Sequence, residues 1–125
     1  MDSDFSLIIA NFRREKLDEV EKKLEHLGVE RINVSKVRGF GEYHNYYAQN
    51  WLDSEVRLEI FTKTHEVDAM VSTIMETARS GKTGMPGDGV VAVLPIAKLY
   101  LIRTCSEATL DSFWPKEQAE PRSAA

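Results

Sequence analysis

Residues 55–78 read EVRLEIFTKTHEVDAMVSTIMETA, and the change of period inside this stretch decides the fold. Val56, Leu58 and Ile60 alternate with Glu55, Arg57 and Glu59, the two-residue period of a strand with one buried face. From Thr64 onward the period lengthens. Val67, Met70, Val71, Ile74, Met75 and Ala78 recur at helical spacing, which predicts an apolar stripe lying on the core, both methionines included. Thr64 is placed to cap this helix, with Glu66 and Asp68 complementing the dipole in its first turn.

Outward from that strand–helix pair, the N-terminal half repeats the same alternation. Phe5 to Ala10 is apolar on both sets of positions and predicts a central strand. Leu17, Val20, Leu24 and Leu27 share one face of a charged helix that ends at Gly28. Residues 29–38, with Val29, Ile32, Val34 and Val37, predict a second strand, broken by Gly39, Phe40 and Gly41. Residues 42–54 hold no period and read as a long exposed loop. On the far side, SGKTGMPGDG at 80–89 is a glycine-rich loop and Val90–Leu94 a strand. Pro95 marks a turn, and KLYLIRT supplies a last short strand. The order is β-α-β-β-α-β, an α+β, ferredoxin-like pattern with an antiparallel sheet and both helices on one face. The folded domain spans residues 1–104. Residues 105–125 are expected to form a largely mobile tail in which Phe113 and Trp114 can dock as a local anchor.

Composition narrows the function classes. The 125 residues carry a formal net charge of -4, without the basic excess of a nucleic-acid binder. No apolar run is long enough to span a bilayer, so membrane insertion is not expected. The N-terminus does not read as a signal peptide, and Cys105 is the only cysteine, which suits a cytoplasmic setting. His26, His44 and His65 have no metal-ligand spacing with one another or with Cys105, so no metal site is expected.

Four segments, KLDEV at 16–20, VRGFGE at 37–42, SGKTGMPGDGVVAV at 80–93 and IRT at 102–104, resemble the PII signalling proteins in order and spacing. The resemblance covers roughly residues 5 to 104. It implies a homotrimer that binds ADP, AMP or ATP in clefts between subunits and regulates a partner through the loop at 42–54, with no catalysis and no cofactor. The nucleotide-binding residues it implies are Asn33, Ser35, Gly39, Phe40, Gly41, Phe61, Thr62, Gly87, Asp88, Gly89, Val90 and Arg103. Physical chemistry fits these types: glycines allow close backbone approach, successive N–H groups cradle an anion, and an arginine can pair with phosphate bidentately.

Three departures change the charge of that site. Val90 stands where the family places a lysine, Leu101 where it has an arginine, and Glu42 where it often has one. A charge-assisted contact contributes roughly 1.5–3 kcal/mol, so these losses favour ADP or AMP over ATP. Glu55 replaces the lysine that serves the 2-oxoglutarate response, which is therefore not expected. The pattern resembles a divergent, PII-like branch such as the carboxysome-associated proteins that sense adenine nucleotides and bicarbonate. Arg38 and Arg57 are candidates for holding bicarbonate, ordinary ion pairing with Glu42, Glu55 or Glu59 being the alternative. Tyr43, Tyr46, Tyr47 and Trp51 are candidates for partner contact, with packing on the trimer's own surface as the alternative. The partner itself is not named by the sequence; a transporter or a carboxysome-related component is the implied class. Two other functions remain open, a ferredoxin-like enzyme using His44 as nucleophile and a structural or metal-tolerance trimer without nucleotide sensing.

Overall fold

The computed structural model describes residues 3–29, 31–37 and 55–113. β1 (Phe5–Arg13), α1 (Leu17–His26), β2 (Asn33–Val37), β3 (Glu55–Lys63), α2 (Val67–Ala78) and β4 (Gly89–Ile96) follow in the expected order. The sheet order is β2-β3-β1-β4, every pairing antiparallel. A separate pair, β5 (Tyr100–Leu101) and β6 (Ser106–Glu107), forms a small hairpin.

Both helices lie on one face of the sheet, and the core sits between. Ile8, Ala10 and Phe12 of β1 meet Val56, Leu58 and Ile60 of β3 beneath Val20, Leu24, Met70 and Ile74. These are the strand and helix positions whose periods match, and fully burying each of them larger than alanine contributes about 1.5–3 kcal/mol. α1 ends as Gly28 predicts: its φ is 94°, its N–H bonds the Glu25 carbonyl, and the Val29 N–H bonds the Leu24 carbonyl. This places buried Val29 against Leu24 and turns the chain toward β2.

Several local expectations are corrected. Leu27 is 46% exposed, because α1 ends one residue earlier and leaves it off the stripe. Met75 is 52% exposed at the edge of the helix face. Thr64 does not cap α2. It opens a single 3-10 turn, Thr64–Glu66, and its hydroxyl bonds the buried Ser6 hydroxyl at 2.8 Å. β2 begins at Asn33, with Val29 used in the helix cap. Pro95 lies inside β4 opposite Ser6, tolerated because β4 is the sheet's edge strand. Past β4, the IRT segment lies in a turn: residues 102–105 connect the two-residue strands of the hairpin. Residues 105–113, grouped with the tail on sequence grounds, fold back onto the domain, with Phe113 docking as the expected anchor. Ala108 and Phe113 are buried with Phe5, and the Phe113 ring meets the Phe5 ring edge-on at 5.2 Å. Trp114 lies outside the described residues.

Candidate functional site

The loop between α2 and β4 is organised by one carboxylate. Asp88 Oδ2 accepts the N–H groups of Ser80 (3.0 Å) and Met85 (2.9 Å), while Oδ1 accepts the Ser80 hydroxyl (2.7 Å). Arg13, at the end of β1, donates through Nη2 to the Pro86 carbonyl at 2.8 Å and faces Asp88 Oδ1 through Nε at 3.4 Å. The Ser80 N–H, then the Ser80 hydroxyl and the Met85 N–H, hold the Asp88 carboxyl well below the usual carboxylate range, against a small opposing effect of burial. Asp88 is therefore consumed in holding the loop's shape.

Gly89 is required by space as well as by backbone, whereas Gly87 is required by backbone, its close neighbour being the movable end of the Arg13 side chain. At Gly89 a Cβ would lie 1.9 Å from the Asn11 carbonyl oxygen, where β4 enters its pairing with β1. At Gly87 it would lie 2.8 Å from Arg13 Nη2. Both have φ well into the positive region. Beside the loop, a cleft of about 230 Å³ opens between the end of α2 and the sheet edge, lined by Met75, Ala78, Arg79, Asn11, Asp88 and Val90 among others. Asn11 Oδ1 is buried without a hydrogen-bond partner among the described residues.

The sheet face away from the helices is open. The register sets Ser35, Arg57, Asn11 and Val90 in one row across four strands, and Phe61, Leu7 and Leu94 in another. Val90 is 67% exposed, and Phe61 and Leu94 are also exposed. Arg57 forms no ion pair among the described residues, so neither Glu55 nor Glu59 takes it up.

The residues singled out from sequence fall into two groups. Gly87, Asp88, Gly89, Val90, Ser35 and Arg57 gather toward the Arg13 end of β1, where Phe12 pairs with Gly89 and Arg13 with Glu55. Phe61 and Thr62 pair with Leu7 and Ser6 toward the other end, where the hairpin bearing Arg103 packs through Leu101 on Phe5. Asn33 lies between, opposite Glu59. Eight residue steps separate the ends, about 25 Å of strand. Phe61 and Thr62 also part company across the sheet: Thr62 is buried on the helix side and donates to Glu66 Oε1 at 3.4 Å. Arg38, Gly39, Phe40, Gly41, Tyr43, Tyr46, Tyr47 and Trp51 lie outside the described residues.

Residues 5–106 match the family model described as Nitrogen regulatory protein P-II. The chain belongs to the P-II family. A P-II protein of Pasteurella multocida is 34% identical over 100 residues, covering 74% of this chain and 86% of that one. The Arabidopsis thaliana P-II homolog is 32% identical over 111 residues, 82% of this chain but only 55% of the relative's length. A crystal structure of Arabidopsis thaliana PII bound to citrate superposes with a TM-score of 0.68 at 31% identity, covering 86% of this chain and 88% of that one. The P-II proteins are regulatory signalling proteins, and this chain has their ferredoxin-like architecture.

Arg13, Asn11 and Ser80 were not singled out from sequence. The signal for Arg13 was available: it continues the Leu7, Ile9, Asn11 parity onto the strand that the ferredoxin-like order places beside β4. Among the described residues no group of three His, Cys, Asp or Glu side chains is placed to hold a metal ion, and no helix is long and apolar enough to cross a membrane.

Proposed function

We propose that this chain is a cytoplasmic signal-transduction subunit that assembles as a homotrimer and binds adenine nucleotide between copies, ADP or AMP at least as tightly as ATP. The observation that carries the reading is the separation of the candidate residues. The glycine-rich loop and Arg103 pack at opposite ends of a strand about 25 Å long, so one copy cannot close both around one small ligand. A second copy, presenting its hairpin to the loop of the first, can. The open sheet face supports such an assembly, because Leu7, Phe61, Leu94 and Val90 leave apolar surface for neighbouring copies to cover.

The missing positive charge at Val90 and Leu101 supports the preference for fewer phosphates. Regulation of an unidentified protein target is assigned to residues 42–54, whose aromatic side chains suit an interface. Bicarbonate as a second ligand is favoured by Arg57, which has no ion-pair partner among the described residues and shares a row with Ser35 and Asn11. The histidine-nucleophile reading gains nothing from the described histidines: His26 and His65 are exposed, and His65 has only Glu66 at 3.8 Å.

Light scattering coupled to gel filtration should return three times the 14.2 kDa chain mass. Calorimetric titration of that species with AMP, ADP and ATP should give binding that does not tighten from ADP to ATP. A monomer at micromolar concentration, or a strong preference for ATP, would contradict the proposal.

A further inference from the structure

We propose that Arg13 is the cation that reads phosphate charge at the glycine-rich loop, a role that rests on the nucleotide reading above. The position that follows Gly89 offers no cation to the loop, being an exposed valine. Arg13 comes from a different strand and lies directly over the loop. Its Nη2 approaches within 2.8 Å of where a Gly87 Cβ would stand, so the guanidinium and the bare glycine face each other.

A guanidinium carries five N–H donors. One of Arg13's goes to the Pro86 carbonyl, and Nε faces Asp88 across a long 3.4 Å contact. The other three have no partner among the described residues, and the side chain is 30% exposed. Asp88, the one carboxylate of the loop, is already saturated by Ser80 and Met85. Arg79 and Lys82 add two further cations on the same loop, so with Arg13 three cations stand against Asp88 and, across the strand pair, Glu55, and the local balance stays positive in a chain whose net charge is -4. Such a site takes a phosphate or diphosphate group, with the planar fork of Arg13 gripping two oxygens while the Pro86 contact fixes its position. Arg13 thereby gives the loop one cation, held in place on the loop itself, and leaves the charge absent at Leu101 unreplaced.

The test is calorimetry on the full chain with ADP, AMP and inorganic pyrophosphate. The variants are Arg13→Gln, Arg13→Lys, Val90→Lys and the double variant Arg13→Gln with Val90→Lys. Arg13→Gln should weaken ADP and pyrophosphate by about tenfold or more and AMP by distinctly less. Arg13→Lys should fall between, and Val90→Lys should restore ADP in the Arg13→Gln background. A mere brace for the loop gives a different pattern: equal losses for AMP and ADP and no rescue by Val90→Lys, which would overturn the assignment. If the unaltered chain binds neither nucleotide, the nucleotide reading falls and Arg13's role with it. If ADP binds and its ratio to AMP survives Arg13→Gln, only the role of Arg13 falls.

Discussion

The two ends of β1 are secured by different chemistry. At the Arg13 end, a carboxylate, a guanidinium and backbone N–H groups shape a loop that crosses the strand at a glycine too close for any Cβ. At the Phe5 end, Ala108 and Phe113 close a small apolar cluster over a hairpin whose own turn, Ile102 to Cys105, stands exposed. The first end is rigid, polar and intolerant of added volume. The second offers Arg103 from an exposed turn, with Ile102 92% exposed beside it. A cleft built from both would pair a fixed cradle on one copy with a projecting arm on its neighbour.

The largest expected effect tests the intolerance of the loop end. Gly89→Val places a side chain into the Asn11 carbonyl and strains a positive φ, and should cost at least about 3 kcal/mol in urea unfolding. Gly81→Ala, which meets nothing within 4 Å, should cost only about 1–2 kcal/mol from its φ. Equal costs would remove the close approach as the reason for Gly89. At the other end, Phe113→Ala should cost about 2–3 kcal/mol by emptying the satellite cluster, and leave the loop's hydrogen exchange unchanged.

Next in size is the acid limb. Asp88 has a folded-state pKa below its ordinary value of 3.8, so folding favours the ionised form. Its contribution is complete above about pH 5 and is lost progressively as pH falls below about 4. Asp88→Asn should therefore cost about 1–2 kcal/mol at pH 7 and flatten the loss of stability between pH 4 and 2. An unchanged acid limb would show that Asp88 does not hold the loop through its charge.

Arg103→Ala separates binding from stability. Arg103 sits in an exposed turn, so unfolding should change by less than about 0.5 kcal/mol. ADP should weaken by about tenfold and AMP by less, measured by titration. The smallest effect is an absence: 2-oxoglutarate should alter ADP affinity by less than about twofold, since Glu55, paired in register with Arg13, would repel a dicarboxylate. Tight, nucleotide-dependent 2-oxoglutarate binding would contradict this.

The sheet and both helices were legible because each obeys one period over at least one full face, as Val56, Leu58 and Ile60 do. Failures cluster where a local signal met a tertiary partner. Thr64 has cap chemistry, but Ser6 lies 2.8 Å away on the neighbouring strand and takes its hydroxyl. Pro95 reads as a turn, yet an edge strand does not need its N–H. IRT has strand composition but too little length to hold a ladder, and it becomes a turn. For the site, the glycines around Asp88 were recognisable, whereas the use of Asp88 as the loop's own acceptor was not. That role depends on Ser80 and Met85 arriving in three dimensions, as does the placement of Arg13 above Gly87.

The claim that one nucleotide site takes its loop from one copy and Arg103 from the next can be tested by subunit mixing. Gly87→Val disables the loop end and Arg103→Ala the hairpin end, and each homotrimer alone should bind ADP poorly. After the two are unfolded together and refolded at equal ratio, every mixed trimer contains one site with both ends intact. Calorimetry should then recover tight ADP binding at about a quarter of all sites, as random assembly of a cyclic trimer requires. A mixture that binds no better than its parents would contradict a site shared between copies.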